Sequence, residues 1–304
     1  MMMAIIALEK SRLNVVLPPP TVQHNQRRLL DVDSVKDRIS EPNDIVGWHK
    51  WCESVQKPYI SESPTAYQWA DKLVAKQRIQ ELVPNIKLAK VFASVDKAKK
   101  IKEEFVESLP QEGYLMKASH YSGGIILVKD NVPKCLKEPC MPLENYNSTR
   151  DYLRSTCHSY FRTKYGMKKG ELWYEKITPQ CFFEELLPID ESADFRDYKV
   201  HFMNGKPVFV QIDAARFKKH QRTWVTPFSF REIPMTEEGR YGYPPIDEIG
   251  LKPDFFDDLV QNAATIASAV DEPYVRIDFF AFKNSYVFAE VSGFRCIHGP
   301  LDNS

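Results

Sequence analysis

Arg276-x-Asp278 and Glu290-x-Ser292 stand in two runs of β-branched and aromatic residues separated by Lys283-Asn284-Ser285. Such runs around a polar trio predict a β-hairpin. A three-residue loop pairs Phe282 with Tyr286, Phe280 with Phe288, Asp278 with Glu290 and Arg276 with Ser292. The aromatic pairs are favourable, whereas two opposed carboxylates repel unless something neutralises them. A hard divalent cation carrying a phosphate would do so, which makes Asp278, Glu290 and Ser292 candidate magnesium ligands. Without the metal, removing one charge should relieve the repulsion. The alternative is a solvated face on which the acids splay apart, and a one-residue slip would separate them altogether.

Two further stretches carry chemistry. Lys117 precedes a polar loop, Ser119 to Gly124, between the apolar runs 114–118 and 125–128. Glycines let backbone amides approach a phosphate, and the lysine supplies charge, yet the same pattern is also a plain hairpin. Asp197, Lys199 and His201 alternate before Asn204-Gly205, a strong hairpin-turn signal, so they share one face toward solvent or a cleft.

The elements that must position these residues follow from periodicity. Ile45, Trp48, Trp51 and Cys52 share one helical face, and residues 65–83 read as a single helix stopped by Pro84. A short strand over 89–93 precedes a charged amphipathic helix over 94–107, with Val95, Ala98, Ile101 and Phe105 inward. Residues 130–147 read as proline-punctuated loop, 149–165 as helix, 179–188 as a buried strand and its exit, and 254–269 as helix. The first 43 residues, with Leu17-Pro18-Pro19-Pro20, read as an irregular arm.

Composition bounds the function. The 304 residues are 43% hydrophobic and 27% charged, an ordinary globular mixture. Forty-one basic and 41 acidic side chains cancel, which argues against a nucleic-acid partner. Six cysteines lack CxxC spacing and read as reduced thiols. No apolar run is long enough for a membrane span or a signal peptide, so a cytoplasmic location is the default expectation.

The order of Asp71-Lys72, Lys117 with its glycine loop, Glu184-x-x-Leu187, Asp197-Tyr198-Lys199, Arg276-x-Asp278 and Glu290-x-Ser292 resembles the ATP-grasp superfamily, and within it the TupA-like branch named for teichuronopeptide biosynthesis. The resemblance runs from roughly Asp44 to Phe294. It implies an α/β (α+β) fold with a nucleotide site between two antiparallel-sheet sub-domains, preceded by a helical N-terminal region. The implied divisions are an arm over 1–43, a helical region over 44–87, a lid over 88–183 and a catalytic half over 184–304.

The implied cofactors are ATP and Mg2+. Lys72, Lys117 and the loop with Ser122, Gly123 and Gly124 would hold phosphates, and Glu184 and Leu187 the adenine edge. Asp197 would reach the ribose, Lys199 the phosphates, Arg276 the transferred phosphoryl group and Arg216 an anionic acceptor. The implied reaction is carboxylate–amine ligation through an acylphosphate, on a small-molecule, glycan or peptide acceptor in cell-surface polymer assembly. A kinase on the same fold and a nucleotide binder without turnover are the rival readings. Many ATP-grasp enzymes carry asparagine where this chain has Ser292, a weaker ligand.

Overall fold

The computed structural model describes residues 65–292, apart from 166–171, 188–194, 204, 215–218, 236, 238–239, 241, 273 and 283. The arm and the helical face of Ile45, Trp48, Trp51 and Cys52 lie outside the described residues.

The expected helix over 65–83 is two helices, α1 (Ala66–Ala70) and α2 (Lys72–Leu82). Asp71 breaks it: its backbone is extended, and its carboxylate accepts from the Leu73 and Val74 amides at 2.9 and 3.3 Å. An aspartate N-cap of this kind contributes about 1 kcal/mol and fixes where α2 begins.

Strand β1 (Val91–Val95) follows, then a 3-10 turn (Ala98–Lys100) and a short helix, α3 (Glu103–Glu107). The sequence reading made these last pieces one helix. Of the residues expected inward, Val95, Ala98 and Ile101 are buried in the core under the first sheet, and Phe105 packs against it half-buried. Strands β2 (Tyr114–Ala118) and β3 (Ile125–Lys129) flank the glycine loop, and β4 (Val132–Lys137) occupies a stretch expected to be loop. Helix α4 (Thr149–Arg162) leads on to β5 (Cys181–Glu185). The first sheet has the order β1-β5-β2-β3-β4, all antiparallel, so β5 is an inner strand.

The reading of the cysteines as reduced thiols is corrected. Cys135 pairs with Cys140, and Cys157 on α4 pairs with Cys181 on β5. The first pair is local, five residues apart, whereas Cys157 and Cys181 meet only because α4 packs on the sheet, which no CxxC spacing could announce. Cys52 and Cys296 lie outside the described residues.

The second sheet is built from β6 (Arg196–Met203), β7 (Lys206–Ala214), β8 (Gln221–Val225), β9 (Tyr274–Phe282) and β10 (Ser285–Ser292). Its order is β10-β9-β6-β7-β8, again antiparallel throughout. Helix α5 (Phe256–Val270) buries Phe256, Leu259, Val260, Ala263, Ile266, Ala267 and Val270, the stripe a 3.6-residue period demands. That stripe packs with α1, α2 and one face of the sheet: Tyr198, Val200 and Phe202 from β6, Val210 and Ile212 from β7, Val275, Ile277 and Phe279 from β9. The period of two then sends the intervening polar residues to the opposite face.

Candidate functional site

The opposite face of the second sheet can be read row by row from the strand register. One row runs Glu290, Asp278, Lys199, Gln211, Trp224; the next holds Asp197, Asp213 and Arg222; another holds Ser292, Arg276 and His201. The expected pairings of Asp278 with Glu290 and of Arg276 with Ser292 are present. The aromatic pairs are not. Ser285 opposes Phe282, Tyr286 opposes Ala281 and Phe288 opposes Phe279, so the turn is one residue tighter than expected. A bulge between Phe288 and Glu290 adds the missing residue and restores the acid pair. The Phe288 amide donates to the Lys87 carbonyl at 2.9 Å, which covers the outer edge of β10 at the bulge.

The opposed acids are neutralised by the protein itself. Asp278 accepts from Arg276 Nε and Nη2, each at 2.7 Å, a bidentate pair, and from Lys199 Nζ at 3.4 Å. Lys199 also pairs with Asp197 and stands 4.0 Å from Asp213. Asp213 in turn accepts from Arg222 Nε at 2.6 Å and Nη2 at 3.2 Å, and from Gln211 Nε2 at 3.0 Å. Burial would push the Asp213 carboxyl up, but His220, Arg222 and Lys199 outweigh it and hold the group well below the usual carboxylate range. Burial likewise opposes ionisation of Glu290, yet Lys72, Arg276 and Lys199 hold its carboxyl below the ordinary value. Asp197, Lys199 and His201 do share a face, as expected, but all three are buried rather than solvated.

The first sheet presents a second cluster. Glu184 is 3% exposed and bonds Lys117, with Lys76 Nζ 3.2 Å away. Burial alone would raise the Glu184 carboxyl, and the two ammonium groups reverse the shift and lower it. On β5, Glu184 is paired with Val91 on one side and Leu115 on the other, so its side chain is what it presents to the lysines. Leu187 follows the end of the strand.

Lys72, the first residue of α2, donates from Nζ to the Tyr121 carbonyl at 2.8 Å, and its amide donates to the Ser119 carbonyl at 3.1 Å. It thus pins the loop carrying Ser122, Gly123 and Gly124 to the helix start. Burial pulls the Lys72 ammonium below the ordinary lysine range, and Glu290 opposes that shift. Lys72 therefore links the loop electrostatically to Glu290 of the second sheet.

The loop glycines have a reason that the sequence did not reveal. Gly124 has φ +59°, and a Cβ there would lie 2.7 Å from the Tyr160 ring; a Cβ on Gly123 would lie 2.6 Å from the Glu138 carbonyl oxygen. The Gly124 amide already donates to that carbonyl at 3.2 Å. Gly124→Ala should therefore lower stability by about 2–4 kcal/mol, through left-handed strain and overpacking against α4. A thermal midpoint equal to that of wild type would mean that the loop can leave Tyr160 without loss.

Of the residues singled out in the sequence, Asp197, Lys199, Arg276, Asp278, Glu290 and Ser292 come together on one face, and Lys117, Glu184, Lys72 and the loop gather around the first sheet. Arg216 lies outside the described residues. Lys76, Gln211, Asp213 and Arg222 were missed. Gln211-x-Asp213 continues the alternation of its hairpin and was legible in principle, but Arg222 sits on β8, a strand that sequence reasoning did not find.

Comparison with known proteins adds three findings. A family model described as TupA-like ATPgrasp matches residues 53–296. No curated protein matches in sequence. Among solved structures, D-alanine–D-alanine ligase from Bacillus anthracis complexed with ATP is similar at a TM-score of 0.40 and 12% identity, over 74% of this chain and 54% of that one. The ATP-grasp ligase PsnB with a phosphomimetic variant of its minimal precursor, Mg and ADP is similar at 0.39 and 12%, over 90% and 69%. D-alanyl-alanine synthetase A from Vibrio cholerae O1 biovar eltor is similar at 0.37 and 16%, over 75% and 56%. The chain spans about half the length of the first of these structures.

Proposed function

Because the chain belongs to the TupA-like ATP-grasp family, we propose that it is an ATP-dependent ligase that activates a carboxylate as an acylphosphate for attack by an amine. The observation that carries this reading is the polar face on which Arg276, Asp278, Glu290 and Ser292 share one hairpin with Lys199 beside it. Glu290 makes no hydrogen bond among the described residues, and Lys72, Arg276 and Lys199 hold its carboxyl below the ordinary value, which leaves its oxygens for a cation.

The donor set fits magnesium. Asp278, Glu290 and Ser292 offer only hard oxygen atoms, with Ser292 Oγ 3.5 Å from Asp278 Oδ1, and Glu290 has lone pairs to give. Magnesium held there would supply neutralising charge to nucleotide phosphates. Lys117 and Lys72 would bind those phosphates, Lys117 by exchanging Glu184 for a phosphate oxygen while Lys76 keeps Glu184 compensated. Glu184 and Leu187 would border the adenine, and Asp197 the ribose. Arg276, oriented by its bidentate grip on Asp278, would face the transferred phosphoryl group. Arg216 would hold the acceptor carboxylate. The setting of the branch, cell-surface polymer assembly, gives the acceptor class to try first.

The test is incubation with ATP, magnesium and candidate carboxylate and amine pairs, with hydroxylamine present to trap an acylphosphate. The expected products are ADP, free phosphate and an amide, with a hydroxamate when the amine is left out. ADP with a stable phosphate ester would mean a kinase instead, and bound ATP without ADP a binding module.

A further inference from the structure

The outer side of α4 lines a groove apart from the residues described above. The helix buries Tyr152, Leu153, Thr156, Cys157 and Tyr160 and presents two other rows outward. Arg154, His158 and Arg162 form one row at four-residue intervals; Ser155, Ser159 and Thr163 form the row beside it. Together they line one side of a groove of about 760 Å³, whose far side includes Lys99 and Tyr146. Among the described residues, Lys99, Arg154 and Arg162 pair with no carboxylate within 4.0 Å. The one acid in the lining, Asp151, is taken up by Arg150 at 3.0 Å. In a chain of zero net charge, this is a groove with unspent positive charge.

We infer that this groove binds an extended acidic peptide segment, its acidic side chains at alternate positions paired with Arg154, His158 and Arg162 and its backbone on the hydroxyl row. The spacing selects this ligand. Residues four apart on a helix recur about every 6 Å along its axis, and alternate side chains of an extended peptide recur about every 6.6–6.8 Å. Two such steps, which join the three positions, therefore stay in register across the groove. Arginine forks suit carboxylates, and small hydroxyl side chains leave room for a backbone while offering it donors and acceptors. Tyr160, on the buried side of the same helix, stacks on Tyr121 of the glycine loop at 5.5 Å. The groove is thus separated from the loop by the helix itself.

The test uses the full chain and two synthetic seven-residue peptides of the same composition, one alternating glutamate with serine and one with its glutamates in a block, at about 0.1 M salt, where the Debye length is about 10 Å. The alternating peptide should bind at least tenfold more tightly than the block peptide. Arg154→Ser/Arg162→Ser should lose at least tenfold of that affinity while its thermal midpoint stays within a few degrees of wild type. Equal binding of the two peptides, tighter binding of tripolyphosphate than of either, or binding that the double variant retains would each overturn the assignment. So would the absence of binding by the alternating peptide.

Discussion

Glu290→Gln is expected to reduce ADP formation by on the order of 10³-fold in a protein that still folds, because it removes one of the two charges available to a cation beside the phosphates. Turnover at the wild-type rate would remove Glu290 from the site. The same variant tests how the acid pair is compensated. Considered as an isolated hairpin, losing a charge should stabilise metal-free protein. The structure reverses that sign, because Lys72, Arg276 and Lys199 already hold the Glu290 carboxyl below its ordinary value. A lowered folded value contributes stability that is present above the unfolded carboxyl value and is lost as pH falls through the folded one. In magnesium-free buffer the variant should therefore melt below wild type at neutral pH, and the two curves should converge in acid. A variant more stable than wild type at neutral pH would mean that repulsion from Asp278 outweighs the three cations.

Lys117→Met is expected to weaken ATP binding by about 1.5–3 kcal/mol, roughly 10- to 150-fold, the range for hydrogen bonds to a charged group. The methionine keeps most of the stem and removes the ammonium. The buried Glu184 carboxylate is not stranded in this variant, because Lys76 stands 3.2 Å from it. Stability should accordingly fall little, whereas Lys76→Met/Lys117→Met should fall by about 3–5 kcal/mol, the cost of leaving a buried charge without a partner. Calorimetry of ATP binding and urea unfolding on the same preparations separate the two effects. Unchanged ATP affinity in Lys117→Met would return the lysine to a structural role beside Glu184.

Side-chain direction within a strand is a local property with a period of two, so the sequence alone determined that Asp197 and Lys199 share a face, as do Arg276 and Asp278, and Glu290 and Ser292. The stripe of α5 was legible for the same kind of reason, since its apolar spacing specifies a buried face whatever it packs against. The order of these motifs was enough to indicate the family. Tertiary structure decided what those faces meet. The tighter turn and the bulge before Glu290 depend on pairing across the hairpin, and they moved the aromatic partners while leaving the acids opposed. The cations around Glu290 come from α2 and β6 as well as β9, and Glu184 finds Lys76 on a helix 108 positions earlier in the numbering (184 minus 76). Strands β4 and β8 are marked mainly by their neighbours' ladders, and Cys157 meets Cys181 only where helix and sheet pack. Local preferences act over a few residues, whereas charge compensation and disulfide pairing depend on which elements become neighbours, and only the folded chain fixes that.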